Sequence, residues 1–256
     1  MNAYIGTGDA YTEPAAKTTD ALMALDLDSG KILWVVQDTG NDAWLVGCNG
    51  ATRPENCPKD LGPDHDFGAS PILKTLPNGR TLLIAGQKSG NVWAHDPDQK
   101  GAVVWRTALV NNTTEFGGKI VWGGAADDQN AYFGLGPGGI AAVQIRDGER
   151  KWFATLEPAP AVAQHAGHEG ALSAIPGVVF SGSLDGHLRG FDAATGKVLW
   201  DVDTAREYDA VNGIKGRGGS LDGPGAVIVG GMLFVNSGYS RFDGMPGNVL
   251  LAFALK

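Results

Sequence analysis

The sequence predicts an all-β chain built from repeated four-stranded antiparallel sheets, on three observations. One pattern recurs four times, as ALDLDSGKILW (Ala24 to Trp34), AHDPDQKGAVVW (Ala94 to Trp105), AVQIRDGERKW (Ala142 to Trp152) and GFDAATGKVLW (Gly190 to Trp200), with tryptophans 71, 47 and 48 residues apart. Short β-rich runs punctuated by glycine, aspartate and asparagine fill the intervals. The 39 glycines in 256 residues suit dense turns, and no window sustains apolar positions at helical spacing, so helices are expected to be few.

A period of this length fits one propeller blade, because four strands of five to six residues with their turns use roughly 40 to 50 residues. The opening residues NAYIGTGDAY read as the inner or second strand of a blade whose beginning is missing. Each motif then supplies an acidic strand end, a turn with glycine where φ is positive, and a strand whose indole fills the gap to the next sheet. TLLIAG (Thr81 to Gly86), NAYFGL (Asn130 to Leu135), GVVFSG (Gly177 to Gly182) and MLFVNSG (Met232 to Gly238) read as strands between motifs. The 71-residue interval holds the long insert, residues 38–63, and a long loop in a regular array is commonly functional. A second irregular stretch spans Glu207 to Ala226, and PGNVLLAFALK resembles the start of a fifth motif. Residues 1–256 are thus expected to form a single fragment of about four to five blades, part of a larger propeller. Closure would need a strand from elsewhere, since open sheet edges invite aggregation.

The net charge of −8 and the pI near 5.0 exclude nucleic acid and anionic membrane as main partners, because both require a basic face. No apolar stretch approaches a membrane span or a signal peptide. The two cysteines, Cys48 and Cys57, close a loop rich in proline, asparagine and glycine and are read as a disulfide, which implies the periplasm or the outside. The alternative is two unpaired loop cysteines in a cytosolic protein.

Over its whole length the chain resembles the C-terminal portion of the pyrroloquinoline quinone (PQQ) dependent alcohol dehydrogenases, eight-bladed propellers, and their polyvinyl-alcohol dehydrogenase branch in particular. The tryptophan motifs carry the family. DAWLVGC with NCP, GPDHDFGASPIL, VWGGAADDQNAYFGL, IPGVVFSGSLDGHLRGFDAATGKVLW, VNGIKGRGGS and NSGYSRFDGMPGNVLLAF carry the branch.

Hydride transfer from an alcohol to a quinone needs a base, a cation that polarises the quinone carbonyl, and a positive side chain near the developing oxyanion. The resemblance assigns these roles by position. Asp66, in PDHDFGAS, stands at the family's catalytic aspartate, which also approaches calcium; the alternative is that Asp64 and Asp66 decorate a polar turn. Asp9, after G-T-G, stands where the family commonly places an asparagine or similar ligand, and a carboxylate is a suitable hard ligand; otherwise it caps a strand-end turn. Lys88 matches the lysine or arginine that reaches the quinone, or is a solvated turn residue. Lanthanide-using relatives carry a further aspartate two residues beyond the catalytic one, where this chain has Gly68, so calcium is the expected metal.

Trp122 and His168 fall in segments that resemble the parts of later blades lining the cofactor face, with blade packing the alternative for Trp122. Methanol-oxidising relatives have a tryptophan at the position of His168. The run His165, His168, Glu169 lacks the helical context of a zinc motif, and the sequons at Asn111 and Asn112 are of the length that chance supplies. A glutamate ligand and an adjacent-cysteine ring of the family would lie upstream of Met1. No C-x-x-C-H haem motif occurs, so cytochrome c or another electron acceptor would be a partner. The competing reading is a non-catalytic propeller that serves as an interaction scaffold, like lipoproteins with the same repeats. GTGD, DHDF and GQKSG in this order favour the dehydrogenase.

Overall fold

The computed structural model describes residues 1–110, 119–156, 167–240 and 244–254. It divides into two compact units, one of residues 1–121 with 146–148 and one of residues 122–145 with 149–256. Among the described residues there is no α-helix, and no helix is long and apolar enough to cross a membrane.

The first unit holds two antiparallel sheets. One is three-stranded, with β1 (Asn2–Gly6), β2 (Ala21–Asp26) and β3 (Ile32–Gln37) in sequential order. The other is four-stranded, with β4 (Ile72–Thr75), β5 (Thr81–Gly86), β6 (Asn91–Asp96) and β7 (Ala102–Ala108). Leu22, Phe67, Ala85 and Trp93 form its buried cluster with Trp34 packed against them.

The second unit repeats the plan. Strands β8 (Ala125–Ala126), β9 (Asn130–Gly134), β10 (Ile140–Gln144) and β11 (Arg150–Ala154) make one four-stranded meander. A second is made by β12 (Ser173–Ile175), β13 (Val178–Gly182), β14 (His187–Asp192) and β15 (Val198–Asp203). The hairpin β16 (Glu207–Asp209) and β17 (Lys215–Arg217) follows, and β18 (Val227–Val229), β19 (Met232–Ser237) and β20 (Val249–Ala254) make a three-stranded sheet. Tyr132, Ile140, Val179 and Phe191 centre one buried cluster; Leu188, Leu221 and Val235 centre another.

The four motifs share a register that their sequences only hint at. Each tryptophan lies directly opposite the small residue that opens its motif: Trp34 faces Ala24, Trp105 faces Ala94, Trp152 faces Ala142 and Trp200 faces Gly190. Immediately after that pair every hairpin slips by one residue, a bulge repeated at the same step four times. The acidic strand end explains the turns. Asp26 accepts the Ser29 amide at 2.8 Å, Asp96 the Asp98 amide at 3.0 Å and Asp192 the Thr195 amide at 2.8 Å, each closing a turn on its own backbone. Gln144 takes this place in the third motif.

Under three of the indoles lies a turn glycine with positive φ. A methyl group on Gly101 would come within 2.7 Å of the Trp34 ring, on Gly148 within 2.7 Å of Trp105, and on Gly196 within 2.6 Å of Trp152. Glycine is required there twice over, by conformation and by space. Trp200 instead packs edge-on against Phe180 and Phe253.

Candidate active site

Three turns of the first unit meet at one point. The chain leaving β1 is stitched to the segment before β4 through the Phe67 amide, which donates to the Thr7 carbonyl at 3.1 Å. The turn between β5 and β6 joins through the Lys88 amide, which donates to the Asp66 carbonyl at 3.0 Å. These backbone bonds bring together Asp9, Asp64, Asp66 and Lys88, residues far apart in sequence. The Asp9 amide donates to Asp66 Oδ1 at 2.6 Å, and Lys88 Nζ donates to Asp64 Oδ1 at 2.6 Å and also to Asp66 Oδ2. A cavity of about 480 Å³ opens beside them, lined by Gly8, Asp9, Tyr11, Asp66, Phe67 and Gly68. Gly8 permits this approach, since a methyl group there would sit 2.5 Å from Asp66 Oδ1.

Partial burial of several carboxyls in one place separates their acidities. Asp9 is pushed up to about 8, by burial first and then by its hydrogen bond with Asp66 and the charges of Asp66, Asp64 and Asp42. Burial pushes Asp64 up to about 6 against the pull of Lys88. For Asp66, burial raises the carboxyl, but hydrogen bonds from Asp9 and Lys88 outweigh it and hold the group below the usual range. Burial likewise opposes the Lys88 ammonium, and its bonds to Asp64 and Asp66 raise it nonetheless. Near pH 7 the site therefore holds a protonated Asp9, a carboxylate at Asp66 and a cationic lysine.

The donor set fits a hard cation. One oxygen each of Asp9, Asp64 and Asp66 lie within 4.8 Å of one another, all are oxygens as calcium prefers, and Asp9 Oδ2 is buried without a hydrogen-bond partner. Once Asp9 is ionised, that buried oxygen is costly unless something occupies it.

Sequence reasoning singled out Asp9, Asp66 and Lys88, and the structure brings them together. It read Asp64 only as a turn residue, yet Asp64 is bonded to Lys88. Two further carboxyls went unnoticed. Asp42, with no exposed surface, accepts the Asp64 amide at 3.1 Å and the His65 amide at 2.8 Å. Asp20, also without exposed surface, is pushed up to about 8 by burial and by the charge of Asp42 before those of Asp66 and Asp9. No local signal marks either one.

Trp122 and His168 belong to the second unit. Trp122 is half-buried, and its amide donates to the Glu169 carbonyl at 3.2 Å. His168 has no exposed surface; its Nδ1 lies 2.8 Å from Ser181 Oγ, its ring meets Phe191 edge-on, and burial pushes it down to about 4, so the imidazole is neutral and offers no surface to a ligand. His165, Asn111 and Asn112 lie outside the described residues. Cys48 and Cys57 are joined as a disulfide with Cα atoms 5.6 Å apart. The insert they belong to is tied back by Glu13, whose carboxylate accepts the Lys59 amide at 2.7 Å and the Asp60 amide at 3.0 Å.

A family model described as outer membrane protein assembly factor BamB matches residues 16–183. Polyvinylalcohol dehydrogenases from Pseudomonas sp and Sphingopyxis sp. (strain 113P3) are 40% and 38% identical to the chain over 98% of its length. The chain covers 42% of each, so it spans less than half the length of these curated relatives. Among solved structures, the quinohemoprotein alcohol dehydrogenase from Comamonas testosteroni aligns with a TM-score of 0.63 at 15% identity, over 96% of this chain and 45% of that one. Likeness at that identity speaks for the fold alone, a propeller of four-stranded sheets. Joined to the repeat-family match and the two dehydrogenases, it means that the chain belongs to the PQQ-dependent alcohol dehydrogenase family, on its polyvinyl-alcohol dehydrogenase branch.

Proposed function

We propose that the chain is the cation- and quinone-binding part of a dehydrogenase that oxidises secondary or polymeric alcohols, with Asp66 as general base. The observation that carries this reading is the convergence of Asp9, Asp64, Asp66 and Lys88 beside a cavity that Asp9 and Asp66 line. Bound PQQ would accept the hydride, with calcium polarising its carbonyl. Asp9, Asp64 and Asp66 are the residues to hold the cation, and Lys88 the residue to bring positive charge to the quinone oxygens. Asp66 is ionised at neutral pH, so a carboxylate oxygen is available to take the alcohol proton. Lys88, paired to Asp64 and Asp66, offsets the charge of both carboxylates beside the cavity.

Trp122 and the insert at residues 38–63 remain assigned to the cofactor face and to the wall of a substrate groove. His168 has no exposed surface, so a place beside the cofactor would require its ring to leave the core that holds it. The disulfide supports a periplasmic or extracellular setting, and cytochrome c or another acceptor would take the electrons. The remaining blades would come from the rest of a longer chain.

Titrating the purified chain with PQQ and calcium, by calorimetry or cofactor fluorescence, tests the reading. Saturable binding that requires calcium, and that Lys88→Ala weakens, is expected. A folded chain that binds neither favours the scaffold reading.

The sign of the pH dependence follows from Asp9. To ligate a cation it must lose its proton, and with its pKa raised to about 8 that loss costs affinity at every pH below. Calcium affinity is therefore expected to fall roughly tenfold or more between pH 8.5 and pH 6.5. A flat calorimetric profile across that window would remove Asp9 from the ligand set.

A further inference from the structure

We propose that Asp42 is a positioning residue for the carboxylate site, a single buried clamp that fixes the three ligand-bearing positions relative to one another. Its functional meaning rests on the cation reading above; the clamp itself does not.

Every ligand position is at, or one residue from, an amide that Asp42 holds. The Asp42 carboxylate accepts the Asp64 amide at 3.1 Å through Oδ1 and the His65 amide at 2.8 Å through Oδ2, and Asp66 follows His65. The Asp42 carbonyl accepts the Ala10 amide at 3.0 Å, and Asp9 precedes Ala10. The attachment is reinforced on both sides. Ala43 bridges Ala10 in parallel, the Trp44 amide donates to the Ala10 carbonyl at 2.8 Å, and the Gly62 amide donates to the Ala43 carbonyl at 2.9 Å.

Two features require such a clamp. Asp64 has φ +60, a left-handed conformation that costs a non-glycine residue about 1 kcal/mol and persists only where its surroundings impose it. Two neighbouring amides aimed at one buried carboxylate impose it. The second feature is electrostatic. Carboxyls packed this closely repel one another whenever they are ionised together, and charge-assisted bonds to main-chain amides, roughly twice as strong as neutral ones, hold their turns in place. Asp42 acts on the backbone of the ligands and not on the cation, in the manner of the outer partners that orient metal-binding side chains.

Two variants test this. Asp42→Asn keeps the size of the side chain but turns one acceptor into a donor that faces an amide. Gly62→Ala leaves all charges in place and adds a methyl group that would overlap Asp42 Oδ1 and the adjoining backbone. Hydrogen exchange of the Asp64 and His65 amides is followed in the metal-free chain. Terbium(III) alone is then titrated by luminescence, with the number of bound waters taken from lifetimes in light and heavy water. Faster exchange at both amides, terbium affinity lower by roughly 10- to 100-fold and at least one additional bound water are expected. Unchanged exchange overturns the clamp. A lower melting temperature with the same terbium affinity and water count also overturns it, since that describes a residue that merely stabilises the fold. If the unaltered chain binds no terbium, the cation reading fails, while exchange at Asp64 and His65 still decides the clamp. If Asp42→Asn does not fold, the same measurements on Gly62→Ala decide between the two outcomes.

Discussion

Asp66→Ala is expected to lower calcium affinity by at least ~100-fold, equivalent to about 3 kcal/mol. The carboxylate is at once a proposed ligand, the acceptor of the Asp9 amide and a partner of Lys88. Without it the Asp9 segment loses its link to the turn before β4, and Lys88 keeps only Asp64. The pH dependence shifts as well. Burial is the main reason for the high Asp9 pKa, but Asp66 adds to it through a hydrogen bond and its charge, so any residual binding by Asp66→Ala should extend to lower pH. Asp66→Asn is the control for folding, since its amide oxygen can still accept from Asp9. Calcium affinity within about threefold of the unaltered chain would exclude Asp66 as a ligand, on the scale where tenfold is about 1.4 kcal/mol.

Trp152→Ala should be strongly destabilising in the second unit, at about 3 kcal/mol or more. The indole stacks on Tyr132 with ring centres 5.9 Å apart, its Nε1 donates to the Ala193 carbonyl at 3.0 Å, and its six-membered ring lies over Gly196. Truncation empties a site that a rigid, glycine-floored turn cannot collapse to fill. At a few degrees per kcal/mol, the second unit should melt roughly 10 °C earlier. Trp152→Phe keeps most of the packing and loses one hydrogen bond, about 1 kcal/mol. Because the chain has two compact units, the melt should be followed by a probe confined to the second. A shift under about 2 °C for the alanine variant would mean that the indole is not what holds this sheet to its neighbouring turn.

The repeat was legible because its causes are local. An aspartate that caps its own turn, the glycine of that turn and a tryptophan opposite alanine or glycine all fall within a dozen residues of sequence, although each such glycine packs under the indole of the preceding motif. The repeated bulge was not, since a one-residue slip leaves the pattern of residue types unchanged. The site was legible in part. Asp9, Asp66 and Lys88 stand in segments with a family resemblance, but their meeting depends on contacts across 22 to 57 positions, and no period encodes those. Asp64 read as a turn residue because it is one, with positive φ; its bond to Lys88 comes from that same turn. Asp42 and Asp20 gave no sign at all, since an aspartate without exposed surface looks in sequence like any polar loop residue. Lys88 was read as solvated or quinone-facing, and it is paired with two carboxylates.

The insert has a consequence for handling the protein. Exposed loops rich in small and polar residues are where proteases cut first, and residues 49–56 are such a loop, exposed throughout. The only basic residue between the cysteines is Arg53, and Pro54 follows it, a bond that trypsin cleaves poorly. Any other enzyme that nicks between Cys48 and Cys57 leaves the two pieces joined by the cystine, while Glu13 still holds the far side at Lys59 and Asp60. Such a cut would be silent on a gel run without reductant, and the severed protein would keep the neighbourhood of Asp64 and Asp66 assembled.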